Sequence, residues 1–165
     1  MIIKSNFKYD NKEYSLEYHD CEDFYSLPYE KCTQIYGVCF YKEKIVIGFG
    51  TSWSLIGGTI ERSKKEDMNN TLIREIQEES NMKVLESHPI GYQIVTDNLG
   101  NSIYQLRSVT KVEPIGKFEK DPDNDIKKIK SIEPSEYNKY FDWGEIGERI
   151  IQRAIELKQQ YNIYC

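Results

Sequence analysis

The stretch that decides the fold covers residues 57–82 and reads GGTIERSKKEDMNNTLIREIQEESNM. Its two adjacent glycines lie between apolar segments, which indicates a tight turn where another part of the backbone approaches closely. Apolar side chains then recur at helical spacing over residues 66–80, and Asn81 follows as a left-handed C-terminal cap. The stretch therefore predicts a glycine-bearing turn that leads into one amphipathic helix.

Three glutamates crowd the last turns of this predicted helix. Glu75, Glu78 and Glu79 fall within an arc of roughly 100° at helical spacing. Like charges so placed repel each other, and the helix dipole already presents negative charge at this end. Arg74, one turn before Glu78, offsets only part of the repulsion. A divalent cation would resolve the conflict because hard cations prefer converging carboxylate oxygens; the alternative is an exposed, solvated acidic face.

The acids are also numerous in the chain as a whole. The 165 residues include 22 Lys and Arg against 27 Asp and Glu, which gives a formal charge of −5. This length suits a single domain over residues 1–165. The negative charge argues against binding of duplex nucleic acid. A small phosphorylated ligand remains compatible with it, because a bound cation can supply the missing positive charge.

The sequence lacks signals that direct a chain to a membrane or out of the cell. No run approaches the roughly 20 apolar residues of a membrane span, and the N-terminal segment shows no signal-peptide pattern. The four cysteines have no zinc-binding spacing: Cys21, Cys32, Cys39 and Cys165. We therefore expect a cytoplasmic protein with reduced thiols and no membrane partner.

Strand-like segments flank the central stretch on both sides. Apolar runs and alternating patterns predict strands over residues 2–8, 12–18, 34–41, 45–49, 89–96, 103–113 and 126–132. The first two strands make a hairpin within residues 1–30. A second amphipathic helix is predicted over residues 145–161. Because helices are too few for a doubly wound sheet, the order predicts an α+β fold with a mixed sheet between helices.

The central stretch resembles the Nudix signature, which reads G-x5-E-x7-R-E-U-x-E-E-x-G-U with U apolar. Residues 74–82 match its second half, with Asn81 in place of the glycine, and Glu66 lies eight residues before Arg74 as the pattern requires. The spacer between Gly58 and Glu66 holds seven residues, two more than the pattern.

A second departure precedes the turn. The lead-in from Trp53 is similar to the Trp-x-Leu-Pro-Gly-Gly that is frequent in the family, with Ile56 where proline is usual. Both departures concern the loop around the glycine turn and leave the glutamates of the predicted helix unchanged.

The resemblance implies an α/β/α sandwich and hydrolysis of a diphosphate linkage in a nucleoside diphosphate derivative, with Mg²⁺ or Mn²⁺ as cofactor. It implies that Glu78 and Glu79 hold the cation. Glu75 would be a further ligand or the base that orients water, and the Gly57 carbonyl would be a backbone ligand. These assignments agree with the chemistry, since metal ions neutralise the charge of a diphosphate.

Further site residues follow from the same resemblance. Arg74 and Glu66 would orient the metal-binding carboxylates. Many members of the family use one more acid from a loop after the signature, and the candidates here are Glu119, Asp121, Asp123 and Asp125. Asp125 is preferred because it directly precedes a predicted strand, although all four fit an ordinary solvated turn.

The sequence gives fewer indications of how a substrate is recognised. Trp53, Tyr92 and Tyr104 are candidates for stacking a base, but single aromatic residues in strands more often belong to the core. Residues 1–30 leave open a dimer element, which would make the protein a homodimer, or a substrate cap. For the protein as a whole, the alternative to an active hydrolase is a non-catalytic Nudix-like module that binds a nucleotide as a sensor or adaptor.

Overall fold

The computed structural model describes residues 1–163, and within them one mixed sheet of nine strands is flanked by two α-helices. The strands are β1 (Ile2–Tyr9), β2 (Lys12–Asp20), β3 (Cys32–Tyr41), β4 (Lys44–Phe49), β5 (Trp53–Ser54), β6 (Ile56–Thr59), β7 (Met82–Thr96), β8 (Ser102–Pro114) and β9 (Lys128–Ile132). The helices are α1 (Met68–Ser80) and α2 (Gly144–Gln160). The predicted α+β class is confirmed.

The sheet is ordered β1-β2-β7-β8-β3-β4-β5, with β6 paired to β3 and β9 paired to β4. Neighbouring strands run antiparallel except β3 and β8, which are parallel. This parallel pair lies near the centre of the sheet. It joins the N-terminal strands to the segment that contains the glycine turn.

Two hydrophobic cores cover the two faces of the sheet. One core includes Val38 and Phe40 of β3 and packs under α2, and the other includes Ile35 and Cys39 of the same strand and packs under α1. Successive side chains of a strand point to opposite faces, so a strand buried on both faces is apolar throughout. This explains the near-continuous apolar run of β3. It also confirms that the sheet is sandwiched between helices.

Helix α1 begins later than its periodicity predicts. The prediction placed its start at residue 66, but Asp67 is the N-cap, and its carboxylate accepts the N–H groups of Asn69 and Asn70. Side chains of this kind satisfy backbone donors that the first turn of a helix leaves free. At the other end Asn81 adopts φ 53° and ψ 41°, so the predicted left-handed cap is confirmed.

Strand boundaries also differ from the prediction, by one or two residues in most strands and by seven at the start of β7. Strand β7 begins at Met82 rather than at residue 89, and its pairing with β8 shifts register twice, between Val84 and Glu86 and again at Pro89. Such irregularities interrupt the alternation from which a strand is recognised. Strand β9 begins at Lys128 rather than at residue 126, after a loop that carries several acids.

The remaining expectations concern the membrane and the thiols. Neither α-helix of residues 1–163 is long and apolar enough to cross a membrane. Cys21, Cys32 and Cys39 are free thiols, and the last two are buried. Cys165 lies outside the described residues.

Candidate functional site

The glycine turn places backbone where no side chain fits. In β6, Gly57 pairs with Tyr36 of β3, and a Cβ at Gly57 would lie 2.5 Å from the Tyr36 Cα. The next residue, Gly58, meets the helix instead, because a Cβ there would lie 2.5 Å from Glu75 Oε1. The two glycines therefore let one strand touch both β3 and α1.

Two of the three clustered glutamates approach this turn. The Glu75 carboxyl group lies against the backbone of Gly58. One turn further along α1, Glu79 Oε2 accepts the N–H of Gly57 at 3.1 Å, and Glu79 is 9% exposed. Among residues 1–163, no Lys or Arg forms an ion pair with Glu79. The turn thus contacts the end of the helix through two carboxyl groups, and that of Glu79 has no cationic partner within residues 1–163.

Burial makes this charge costly. Desolvation raises the pKa of Glu79 to about 8, and repulsion from Glu75, Asp121 and Asp125 adds to the increase. Burial also raises the pKa of Glu75, although Arg74 acts in the opposite direction. Carboxyl groups with pKa values raised by burial and by each other mark a place where a cation would be favourable.

Arg74 connects several parts of the signature segment, residues 57–82, through hydrogen bonds. Its Nε and Nη2 donate to the two carboxylate oxygens of Glu66 at 2.8 and 2.9 Å. Nη2 also donates to the Thr59 carbonyl at 3.1 Å, and Nη1 donates to Glu75 Oε1 at 3.0 Å and to Glu78 Oε2 at 3.2 Å. The Arg74 guanidinium therefore connects the glycine turn at Thr59, the glutamates of α1, and Glu66 just before the helix.

Glu66 is held almost entirely by hydrogen bonds. Besides Arg74, it accepts the Thr71 hydroxyl at 2.7 Å and the Glu61 N–H at 3.1 Å. These donors, Arg74 first, lower the pKa of Glu66 to about 2. Its role in the structure is that of an anchor that is ionised at neutral pH.

The longer spacer is accommodated by a local turn. A short 3₁₀ helix spans Arg62–Lys64, Lys65 adopts the left-handed conformation at φ 54°, and the Glu66 N–H returns to the Glu61 carbonyl at 3.2 Å. The chain therefore closes on itself between Glu61 and Glu66. This turn accommodates the two additional residues, and the glycine turn and α1 remain in contact with each other.

The candidate metal ligands in the acidic loop before β9 have different surroundings. Asp121 is 2% exposed, and its carboxylate accepts the N–H groups of Asp123 at 2.9 Å and of Ile126 at 3.0 Å, so it shapes the loop. Asp123 and Asp125 line the cavity at the glycine turn, whereas Glu119 does not. The Asp125 carbonyl approaches Gly50, where a Cβ would lie 2.6 Å from it.

The cavity itself measures about 670 Å³. Its acidic lining consists of Glu61, Glu75, Glu79, Asp123 and Asp125, and its backbone wall includes both glycines of the turn. Glu78 does not line it, although its carboxylate accepts a hydrogen bond from Arg74, which does. The structure therefore brings together most of the predicted metal-ligating residues, with Glu78 beside the cavity.

The donor set fits a hard divalent cation. Carboxylate oxygens and a peptide carbonyl are the ligands that such ions prefer, and the buried carboxyl groups of Glu75 and Glu79 have raised pKa values. Within residues 1–163, no three His, Cys, Asp or Glu side chains are grouped so that they could hold a metal ion as they stand. The candidate ligands Glu75, Glu79 and Asp125 share one cavity but do not converge on one point.

The three aromatic candidates lie away from this cavity. Trp53 packs against Phe49 and Tyr140, with ring centroids 5.2 and 5.7 Å apart. Tyr92 and Tyr104 stack on each other at 5.4 Å on neighbouring strands. None of the three lines the cavity, so any contact with substrate there would require a rearrangement.

Sequence reasoning missed Tyr36 and Thr59. Tyr36 lines the cavity from β3, and the Thr59 carbonyl anchors Arg74. No motif marks either residue. Tyr36 is identified only by the register that sets it opposite Gly57, and the carbonyl of Thr59 acts through the backbone, whatever its side chain.

Comparison with known proteins establishes the fold. No family model and no curated protein sequence matches the chain. A variant of the Bacillus subtilis pyrophosphohydrolase BsRppH is 15% identical with a TM-score of 0.59, over 96% of this chain and 94% of that one. A NUDIX hydrolase from Nitrosomonas europaea is 18% identical with a TM-score of 0.53, over 81% and 93%.

The NUDIX domain of Shewanella oneidensis NrtR, whose structure contains ADP ribose, is 13% identical with a TM-score of 0.52, over 82% of this chain and 92% of that one. At these identities the likeness concerns the fold, which all three structures share with this chain.

Proposed function

We propose that this chain, which has the fold of the Nudix hydrolases, is a divalent-metal-dependent pyrophosphohydrolase that cleaves the diphosphate linkage of a nucleoside diphosphate derivative. The observation that carries the proposal is the acidic cavity at the glycine turn. There the carboxyl groups of Glu75 and Glu79 are buried against the backbone of Gly58 and Gly57. A stable fold has no need of repelling carboxylates at this end of a helix.

The residues that would hold Mg²⁺ or Mn²⁺ are Glu75, Glu78, Glu79, Asp125 and the carbonyl of Gly57. When bound, the cation would neutralise the charge of the diphosphate and polarise the phosphorus under attack. The Arg74 guanidinium would keep Glu75 and Glu78 oriented, since it donates to one oxygen of each.

The chain itself supplies a candidate for handling the proton of the attacking water. Glu75 receives Arg74 at Oε1, and its Oε2 is left for a second partner at the cavity wall. Because burial raises the pKa of this carboxyl group above its ordinary value, it is a stronger base than an exposed glutamate. Glu75 thus serves either as this base or as a further ligand of the cation.

The test is Mg²⁺-dependent release of a nucleoside monophosphate from a panel of nucleoside diphosphate derivatives. We expect Glu78→Gln and Glu79→Gln to abolish release. Glu148→Gln, an exposed substitution on α2, serves as the matched control and should retain full activity. Failure of the wild-type protein to turn over any member of a broad panel contradicts the proposal.

One observation favours a second candidate, a module that binds a nucleotide without cleaving it. Glu78 is turned to Arg74, and no closed cage of metal ligands is formed among residues 1–163. Thermal stabilisation by nucleotides, without turnover at any Mg²⁺ or Mn²⁺ concentration, would select this candidate.

A further inference from the structure

Arg107 of β8 is a buried cation without a carboxylate partner. It is 5% exposed, and the interactions that affect its charge come from Tyr36 and Tyr18 rather than from any acid of residues 1–163. Its terminal nitrogens donate to the Leu106 carbonyl at 3.1 Å and to Gln105 Oε1 at 3.3 Å, while Nε has no hydrogen-bond partner. Burial lowers the pKa of Arg107 to about 10, so the side chain stays charged at neutral pH.

Arg153 of α2 shows what a structural arginine looks like in this protein. Its Nε also lacks a hydrogen-bond partner, but its terminal nitrogens lie 2.7 Å from Glu22 and 3.5 Å from Glu156. A buried charge is costly unless a counter-charge or a full set of acceptors compensates it. Arg107 has neither, and because it lines a cavity, a ligand there can supply further acceptors to its terminal nitrogens.

A cavity of about 530 Å³ lies beside Arg107, a size typical of small-molecule sites. Aromatic rings form part of its wall. The guanidinium carbon of Arg107 lies 5.0 Å from the ring centroid of Tyr36 and 6.0 Å from that of Trp143. The wall of this cavity also includes Phe7, Gln93 and Asp142. The lining thus combines flat apolar surfaces with hydrogen-bonding groups.

This second cavity adjoins the acidic one. Tyr36 and Ser54 line both. In the sheet, Arg107 pairs with Tyr36, and Tyr36 pairs with Gly57, so the three residues lie in a row across three strands. Two strand spacings separate Arg107 from Gly57, or about 10 Å. That distance suits one nucleotide with its diphosphate at the glutamates and its base at Arg107.

We propose that this cavity binds the base of the substrate, and that Arg107 selects a base with two adjacent hydrogen-bond acceptors, as the O6 and N7 edge of guanine provides. The inference deepens the proposed function and rests on it. The fork of an arginine matches these two acceptors, whereas adenine replaces one of them with an amino donor.

Asp142 favours a base over a second anionic group. Its carboxylate lines the same cavity, with one oxygen already accepting the Gly144 N–H at 2.9 Å. A phosphate or carboxylate beside Arg107 would be repelled by this acid. The ring N–H and amino group of guanine, in contrast, are donors that a carboxylate accepts. Tyr36 and Trp143 offer ring faces for stacking.

The experiment measures binding of GMP and AMP by calorimetry in EDTA, so that neither metal nor turnover contributes. Because the two ligands carry the same phosphate, their difference isolates the base. We expect GMP to bind about tenfold to hundredfold more tightly than AMP. Arg107→Leu should remove this difference, and Arg153→Leu, the matched control, should preserve it.

Arg107→Lys covers the case in which the leucine variant does not fold. It keeps the charge but loses the two-pronged donor, so it too should lose the preference for GMP. Equal affinity for GMP and AMP in the wild-type protein, or an unchanged preference in a folded Arg107 variant, would overturn the inference. Inorganic phosphate that binds the wild-type protein and competes with GMP at Arg107 would likewise show an anion site in place of a base site.

These outcomes are independent of the hydrolysis assay. Turnover without discrimination between the bases leaves the proposed function intact and removes this inference. Preference for GMP without turnover of any derivative removes the hydrolase and leaves a site that binds nucleotides.

Discussion

The Glu75 carboxyl group occupies the space in which a side chain at Gly58 would lie. A Cβ at Gly58 would meet Glu75 Oε1 at 2.5 Å and Oε2 at 2.6 Å, so the residue type at one position sets the location of a carboxylate seventeen residues away in sequence. The glycine of the turn is therefore part of the acidic site as well as part of the backbone.

Gly58→Ala should accordingly displace Glu75 and lower the rate of metal-dependent hydrolysis. A misplacement of about 1 Å in a positioned group costs roughly hundredfold in rate, and we expect a loss of that order in kcat. Gly116→Ala is the control, because a Cβ there meets Asn81 Nδ2 at 3.4 Å in ordinary contact. Wild-type kcat in the Gly58 variant would show that the carboxylate position is immaterial.

Mg²⁺ should stabilise the folded protein through the same glutamates. A ligand that binds only the native state adds about 2.7 kcal/mol to the free energy of unfolding at a concentration 100 times its Kd. The expected result is a Tm that rises with Mg²⁺ concentration in the wild-type protein and is constant in Glu79→Gln. Differential scanning calorimetry measures both, with Glu148→Gln as control. An identical rise in the Glu79 variant would place the cation elsewhere.

Acid should weaken the fold through Glu66. Its pKa is about 2 in the folded protein, below the roughly 4.3 of an unfolded glutamate. The carboxylate therefore stabilises the fold above the unfolded pKa, and this contribution disappears as the pH falls from about 5 towards 2. Glu66→Gln should lower the free energy of unfolding at pH 7 by about 1–3 kcal/mol and flatten its decline in that range. Urea denaturation at successive pH values checks this, and parallel wild-type and variant profiles would contradict it.

The two aspartates of the acidic loop should respond in opposite ways. Asp121→Ala removes the acceptor for the N–H groups of Asp123 and Ile126, and each lost hydrogen bond costs about 0.5–1.5 kcal/mol. We expect lower stability from thermal denaturation. Asp125→Asn should leave Tm nearly unchanged and weaken the Mg²⁺ dependence of hydrolysis. The reverse pattern would exchange their roles.

Local signals in the sequence were sufficient for much of the fold. The sequence predicts Asn81 as a left-handed cap because few other residues adopt that conformation without strain, and the structure confirms it. The apolar run of β3 predicts a strand buried on both faces. In the structure its alternate residues do belong to the two different cores. These features depend on a few residues that are neighbours in sequence, which is why the sequence alone predicts them.

Long-range pairing accounts for what the sequence did not reveal. Arg107 lies beside Tyr36 only because β3 and β8 pair in parallel, in a register that no turn between them dictates. Asp121 and Asp125 are chemically identical neighbours, and only the fold of the loop makes one a structural acceptor and the other part of the cavity wall. Both distinctions arise from tertiary contacts rather than from composition.

The attachment of Thr59 and Glu66 to the same Arg74 side chain has a consequence for engineering. The segment between them is fastened at both ends, so it behaves as a surface loop whose length is uncoupled from the chemistry. Each doubling of such a loop costs only about 0.6 kcal/mol in closure entropy. Residues 62–65 are exposed and do not line the cavity, so a tag, a reporter or a second binding element can be inserted there beside the cavity.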